Sequence, residues 1–256
     1  MNIIRFALDR EPTYGILDAD NVYVIAGDLS GEFAAGEKLC ALGDVALLAP
    51  VQPRSVACVA ANYHALCNEM GRQIPREPEV FLKPPSAVVG HLDDIIQPEV
   101  SSEVTCGGEL AVVIKRETRR VSEAEALDYV LGYTCANDVS AFDPRGDRFP
   151  TRAKGHYTFC PVGPWITTGL DGDNLMLRSR LNGEMILDHS TSGMIFSVSK
   201  AVSFISQFMA LEPLDIVLMG TPRPETKVSL GDVIEVEIEG IGMLRNRISS
   251  SKLTEA

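Results

Sequence analysis

The sequence is poor in histidine and tryptophan, with four and one of them in 256 residues, and it contains no Cys-x-x-Cys pair and no His-Glu-x-x-His segment. The usual frames for a zinc site or a redox dithiol are therefore missing. No Gly-x-Ser-x-Gly elbow and no Walker loop occurs, which removes the common serine-hydrolase and nucleotide-phosphate frames. Gly240-Ile241-Gly242-Met243-Leu244-Arg245 carries two glycines of a dinucleotide fingerprint and lacks the third. Basic residues are outnumbered, 23 Lys and Arg against 35 Asp and Glu, and the net charge of -12 argues against a nucleic-acid surface built on clustered cations. A local basic pocket for a small anion stays open. No apolar run approaches the roughly 18 residues that cross a membrane. The alternating start, Met1 to Phe6, has none of the regions of a signal peptide. With six scattered cysteines (Cys40, Cys58, Cys67, Cys106, Cys135 and Cys160), that pattern points to a cytoplasmic protein with buried, reduced thiols.

What is present is an ordinary globular composition, 45% hydrophobic and 23% charged. The chain is long enough for one large domain with a small appendage. Residues 3–8, 13–17 and 22–25 read as short strands separated by turn residues, a small N-terminal β domain over residues 1–52. Pro50 and Pro53 close it, since each proline holds itself and its predecessor extended. Residues 53–250 form the main domain and 251–256 a frayed tail. Ser122 and Glu125 form a capping box, and the spacing predicts a helix over 122–130 that stops at Gly132. A second amphipathic helix is expected over 196–209. Segments 110–114, 216–219 and 233–238 have the apolar patterns of strands. The fold class is α+β, dominated by β structure.

Several short motifs follow one another through the main domain: Asn62-Tyr63, Val80-Phe81-Leu82-Lys83-Pro84-Pro85-Ser86, Gly107-Gly108-Glu109-Leu110-Ala111-Val112-Val113-Ile114, and Gly132-Tyr133-Thr134-Cys135-Ala136-Asn137-Asp138-Val139-Ser140-Ala141. After them come Lys154-Gly155, Pro161-Val162-Gly163-Pro164, Asn182-Gly183-Glu184 and Gly220-Thr221-Pro222. This order, spanning roughly residues 55 to 248, resembles the fumarylacetoacetate hydrolase superfamily. The resemblance implies a β-rich mixed sandwich or roll, a homodimer, and chemistry on enolisable dicarbonyl compounds through an enolate held by Mg2+ or Mn2+. It also implies a metal bound by Glu-x-Glu on one strand and a later Asp. Residues i and i+2 of a strand face the same way and can share a cation.

The departures from that pattern bear on the chemistry. Glu109 and Asp138 match two metal ligands, but Gly107 stands at the first Glu, and a water or Glu103 is the available substitute. In the family's Asn-Tyr-x-x-His-x-x-Glu device, Glu69 matches the Glu while Leu66 replaces the His that activates water. His64 lies two residues earlier, about 200° around a helix and so on another face. Phe142 replaces an Arg, Tyr157 an Asp and Leu187 a Gln. Lys154 and Thr221 match a substrate-side lysine and hydroxyl, and Lys83 matches a strand lysine with a structural reading.

Four polar groups thus give way to apolar or aromatic ones, which suits a larger, less charged ligand. The leading expectation is a repurposed enzyme performing proton transfer or isomerisation, elimination or cyclisation on a relatively apolar enolisable carbonyl compound. It would use no cofactor or a weakly bound Mg2+ or Mn2+. Glu69, Glu109, Asp138 and Lys154 are its expected catalytic groups. Tyr63, Leu66, Phe142, Tyr157, Leu187 and Thr221 are expected to bind substrate. The alternatives are a Mg2+-dependent hydrolase or decarboxylase of a 2-oxo or β-dicarbonyl acid, and a non-catalytic binding protein. The expected partners are a small molecule and a second copy of the chain, with no nucleic acid and no membrane.

Overall fold

The computed structural model describes residues 1–8, 11–141 and 150–250. The chain begins with β1 (Asn2–Leu8), β2 (Glu11–Asp18), β3 (Asn21–Gly27), β4 (Phe33–Ala41), β5 (Ala46–Leu47) and β6 (Val56–Ala60). A short helix α1 (His64–Glu69) leads to β7 (Glu79–Lys83), β8 (Val88–Val89), β9 (Asp94–Gln97) and two long strands, β10 (Val104–Ile114) and β11 (Val130–Ala141). Then come α2 (Thr151–Lys154), β12 (Cys160–Thr167), β13 (Met176–Leu181), β14 (Glu184–Ser190) and α3 (Val198–Ser206). The last strands are β15 (Ile216–Leu218), β16 (Thr226–Val228), β17 (Val233–Ile238) and β18 (Gly242–Ser250).

Two sheets carry these strands. The larger runs β4-β3-β2-β1-β12-β11-β10-β15-β6-β7, and the smaller β14-β13-β17-β18-β9. Most neighbours are antiparallel, with β6 against β15, β8 against β12 and β9 against β18 parallel. β10 and β11 form the spine of the larger sheet, and every described side chain of β10 is buried. One face of this spine sends Leu110, Val112 and Ile114 into a core with Leu177, Val236 and Leu244 of the smaller sheet and Val202 and Ile205 of α3. The other face sends Ala111 and Val113 into a core with Val56, Ile166, Ile216 and Leu218. Burial on both faces explains why Leu110-Ala111-Val112-Val113-Ile114 is a continuous apolar run with no alternation.

The N-terminal strands extend the larger sheet, because Asn2 and Ile3 pair with Thr167 and Ile166 of β12. They keep a small core of their own around Ile4, Phe6, Leu17 and Val22, against which Trp165 also packs. All six cysteines are free. No helix among the described residues is long and apolar enough to cross a membrane.

The helix expected over 122–130 is a correction. Ser122 does donate its hydroxyl to the Glu125 carboxylate, but only one 3-10 turn (Ala126–Tyr129) follows. Val130 is already paired with Ile114 in the spine, so sheet pairing overrides the local helical preference. The second expected helix is present but shorter. Ser197 caps α3 by accepting the Lys200 amide at 3.1 Å, and the helix ends at Ser206.

Candidate active site

The site lies where β10 and β11 carry polar residues on one face. Gly107 pairs with Asp138 and Thr105 with Ser140, so these four and Glu109 share that face. Asp138 is buried and accepts two ammonium groups. Lys83, from the end of β7 and fully buried, donates to Oδ1 and also to the Val139 carbonyl at 2.9 Å. Lys154, from the end of α2, donates to Oδ2, to the Ser140 hydroxyl at 2.8 Å and to Glu225 Oε1 at 2.6 Å. The other oxygen of Glu225 accepts the Thr105 hydroxyl. The Phe81 ring lies beneath the Lys154 ammonium, 5.3 Å to its centroid.

Glu109 is also buried, and Oε2 accepts the Gly220 amide at 2.7 Å. Gly220 has φ +86°, and a Cβ there would stand 2.9 Å from the Val59 carbonyl oxygen, so the turn that presents this amide requires glycine. Asn62 fixes the turn from behind. Its amide donates to the carbonyls of Met219 at 3.0 Å and Phe196 at 3.1 Å, and its oxygen accepts the Phe196 amide at 2.8 Å. The family-like Asn-Tyr pair is thus a structural bracket at its first residue.

The two carboxyl groups on this face have opposite electrostatics. Burial, and then the charge of Asp138, push Glu109 well above the usual carboxylate range, against the opposing pull of Lys154, the Gly220 amide and Lys83. Burial acts the same way on Asp138, but Lys83 and Lys154 outweigh it and hold Asp138 below its ordinary value. Lys154 is likewise disfavoured as a cation by burial, and Asp138 and Glu225 more than offset this, so it is held as ammonium.

A cavity of about 400 Å3 opens onto these groups. Val59, Leu66, Met70, Phe81 and Pro224 give it apolar walls, while Glu109, Asp138, Lys154 and Glu225 supply its charge. A second chamber of about 340 Å3 is lined by Glu69, Gly107, Gly108, Ser179, Met185 and Leu187, among others. The two share Thr221, Arg223 and Pro224 as a common wall.

The structure therefore brings Glu109, Asp138, Lys154, Thr221 and Leu66 together in one cavity. Glu69 and Leu187 belong to the second chamber, and Glu69 faces Arg223 at 3.5 Å. Leu66 is buried and His64 exposed, on separate faces of α1 as the spacing predicts. Tyr63 is fully buried against the His189 ring, outside both chambers, and its hydroxyl has no partner among the described residues. Tyr157 stands on the surface, 71% exposed, outside both chambers. Phe142 lies outside the described residues. Glu103, the suggested substitute ligand, lines the main cavity but pairs with Lys227 at 2.6 Å. Sequence reasoning missed Glu225, a lone acid in a loop whose spacing carries no signal of its meeting Thr105 and Lys154 across 120 and 71 residues.

A divalent ion does not fit this donor set as it is arranged. Both oxygens of Asp138 are taken by ammonium groups, and both oxygens of Glu225 by Lys154 and Thr105. Gly107 offers no oxygen from a side chain. Among the described residues no three His, Cys, Asp or Glu side chains are set to hold a metal.

Residues 55–249 match the family described as fumarylacetoacetate (FAA) hydrolase C-terminal, and residues 1–50 match one described as Rv2993c-like, N-terminal. The mitochondrial oxaloacetate tautomerase FAHD2B of Bos taurus is 38% identical over 80% of this chain and 70% of its own length. The crystal structure of 2-hydroxyhepta-2,4-diene-1,7-dioate isomerase from Mycobacterium marinum superposes with a TM-score of 0.89, at 39% identity, over 99% of this chain and all of the other. Maleylpyruvate hydrolase from Sphingobium sp. SYK-6, solved in complex with manganese (II) ion and pyruvate, has a TM-score of 0.80 and 26% identity over 98% of this chain and all of the other. With three quarters of its length matched to the family and a site built on the same strand pair that carries the sequence resemblance, this chain belongs to the fumarylacetoacetate hydrolase family.

Proposed function

We propose that the protein is an isomerase or tautomerase that moves a proton between carbon and oxygen of an enolisable carbonyl compound. The observation that carries this reading is the presence, in one apolar-walled cavity, of both a buried Glu109 carboxyl and the Lys154 ammonium. Enolisation removes a proton from the carbon beside a carbonyl and places negative charge on its oxygen. A fixed cation at that oxygen and a base at that carbon are the two groups the step needs.

Lys154 supplies the cation. Its three N–H groups are already satisfied by Asp138, Ser140 and Glu225, so an arriving oxygen takes one of those directions. The Ser140 hydroxyl is the neutral acceptor of the three and costs least to displace. Glu109 supplies the proton carrier. A carboxyl with a raised pKa is a stronger base when ionised and a hydrogen-bond donor when protonated, so it can take the proton from carbon and return it. The Gly220 amide holds one oxygen of Glu109 and leaves the other for substrate.

Hydrolysis additionally asks for a base that activates water. Leu66 forms part of the wall at the position of the family histidine, and His64 is exposed on the other face of α1, which favours isomerisation over hydrolysis. Leu66 lines the cavity without filling it, and the open volume favours catalysis over a purely structural role. The walls suit a substrate with an apolar body next to its oxo group. The isomerase and the tautomerase among the similar proteins, both nearer in sequence than the hydrolase, support the same reaction class.

The test is hydrogen exchange into D2O at the carbon beside the carbonyl of 2-oxo acids carrying alkyl or aryl tails, followed by NMR. The native protein should accelerate exchange, and Glu109→Gln should lose about 10²-fold or more of that acceleration. Undiminished exchange in both Glu109→Gln and Lys154→Ala would overturn the reading.

A further inference from the structure

We propose that Glu225 stands in for the carboxylate absent at position 107, and that the Lys154 ammonium it holds serves as the resident cation of the site in place of a divalent ion. The backbone of β10 gives the first argument. Thr105, Gly107 and Glu109 lie on one face of the strand, opposite Ser140, Asp138 and Ala136. A Cβ at Gly107 would stand 3.3 Å from Glu225 Cγ and 3.2 Å from Thr221 Cγ2. The stem of Glu225 thus lies against the space that a side chain at 107 would enter. Its carboxylate reaches the same cluster from the loop before β16.

The partners of Glu225 give the second argument. Thr105, two residues before Gly107 on the same face, fixes one carboxylate oxygen, and Lys154 at 2.6 Å takes the other. Asp138 and Glu225 therefore clamp Lys154 from two sides, with Ser140 as its third acceptor. The third argument is charge. A divalent ion entering here would have to part Lys154 from both carboxylates and would then sit beside two ammonium groups, Lys83 and Lys154, that share Asp138. Glycine at 107 and glutamate at 225 are complementary: position 107 offers no carboxylate to a metal, and the carboxylate at 225 holds a lysine. Glu225 is on this account a positioning residue, acting through Lys154.

This inference deepens the acid-base reading above in what Lys154 does to substrate, but its primary test reads cation binding and is independent of any turnover. Mn2+ binding is measured by calorimetry on the native protein, on Glu225→Gln, and on the exchange variant Gly107→Glu/Glu225→Ala. The native protein should show no saturable binding at micromolar Mn2+, and Glu225→Gln none either. The exchange variant, with its Glu-x-Glu pair restored and Lys154 released on one side, should gain at least about tenfold in affinity, since such sites follow the count of charged ligands. Micromolar binding by the native protein that is lost in Glu225→Gln would overturn the proposal, making Glu225 a metal ligand. A folded exchange variant with no gain would overturn it as well. Should the exchange variant fail to fold, the D2O exchange assay on Glu225→Gln and Glu225→Asp decides. Loss of kcat with unchanged KM in the first and partial rescue in the second are expected, and native kinetics in both would sink the idea. Failure of the isomerase reading leaves the Mn2+ result standing.

Discussion

Replacing Lys83 by Met tests how the buried charges of the site are held. The Lys83 side chain is fully buried and Asp138 is 5% exposed, so neither charge has water to fall back on. Methionine nearly matches the volume of the lysine stem but leaves the Val139 carbonyl and one Asp138 oxygen without a donor. Breaking a buried pair from one side costs about 3–5 kcal/mol, and the lower end applies because Lys154 still faces Asp138. For a chain of this size a loss of about 3 kcal/mol corresponds to a fall of roughly 6–12 °C in the thermal midpoint. The loss must also depend on pH in a fixed sense. The folded pKa of Asp138 is depressed, so its contribution is present above the ordinary Asp range and is lost as pH falls through the folded value. Removing Lys83 weakens that depression, so the gap between native protein and variant should narrow on acidification. Urea unfolding followed by circular dichroism at neutral and acidic pH measures both quantities. The double variant Lys83→Met/Asp138→Asn should recover part of the loss, because no ionised carboxylate is then left short of a donor. A cost under about 1 kcal/mol, or a gap unchanged by pH, would refute the reasoning.

Three further outcomes follow from the same geometry. Glu109 has a raised folded pKa, so its contribution is fully present at acid pH and is lost as pH rises from the ordinary Glu range through the folded value; thermal midpoints of Glu109→Gln should lack that decline and exceed the native values at neutral pH. Asn62→Ala removes three buried hydrogen bonds and should cost about 3 kcal/mol or more by urea unfolding, with the Gly220 turn loosened and kcat reduced. Tyr157→Ala should change kcat/KM by less than about twofold (~0.4 kcal/mol), since the side chain is exposed and lines neither cavity; a tenfold rise in KM would place Tyr157 at the substrate after all.

What the sequence made legible follows the range of the interactions concerned. The β10 and β11 motifs are local, and their apolar runs and the Glu109 and Asp138 positions carried both the fold and two of the site's carboxyls. The separation of His64 from Leu66 also followed from helical spacing alone. The helix expected over 122–130 failed because its capping box is a local signal, while Val130 answers to Ile114 across the sheet. Glu225 was invisible for the same reason: its partners Thr105 and Lys154 come from distant segments, and no periodicity links them. Gly107 could be read as an absence, but not as the space against which another residue packs. Glu69 kept its place in the motif, yet its neighbour is Arg223 across the second chamber and not the Glu109 group.

The substitutions at 66 and 107 have one chemical sense when taken with Glu225. Water attack on a carbon–carbon bond needs both a base for the water and a strong electrophile for the carbonyl. Proton transfer beside a carbonyl needs one base at carbon and one cation at oxygen, and the charge to be met on that oxygen is at most a single unit. Asp138 and Glu225 fix the position of the Lys154 ammonium, so its N–H toward Ser140 can turn to the arriving oxygen without the cation moving. Burial pushes both carboxyl groups up, but only at Asp138 do the two lysines outweigh it, so that two carboxyl groups on one strand pair are set to different tasks by what surrounds them. On the proposed reading, Leu66 at the place of the family histidine and Gly107 at the place of the first carboxylate belong together, because making and unmaking an enolate at Glu109 and Lys154 calls on neither group.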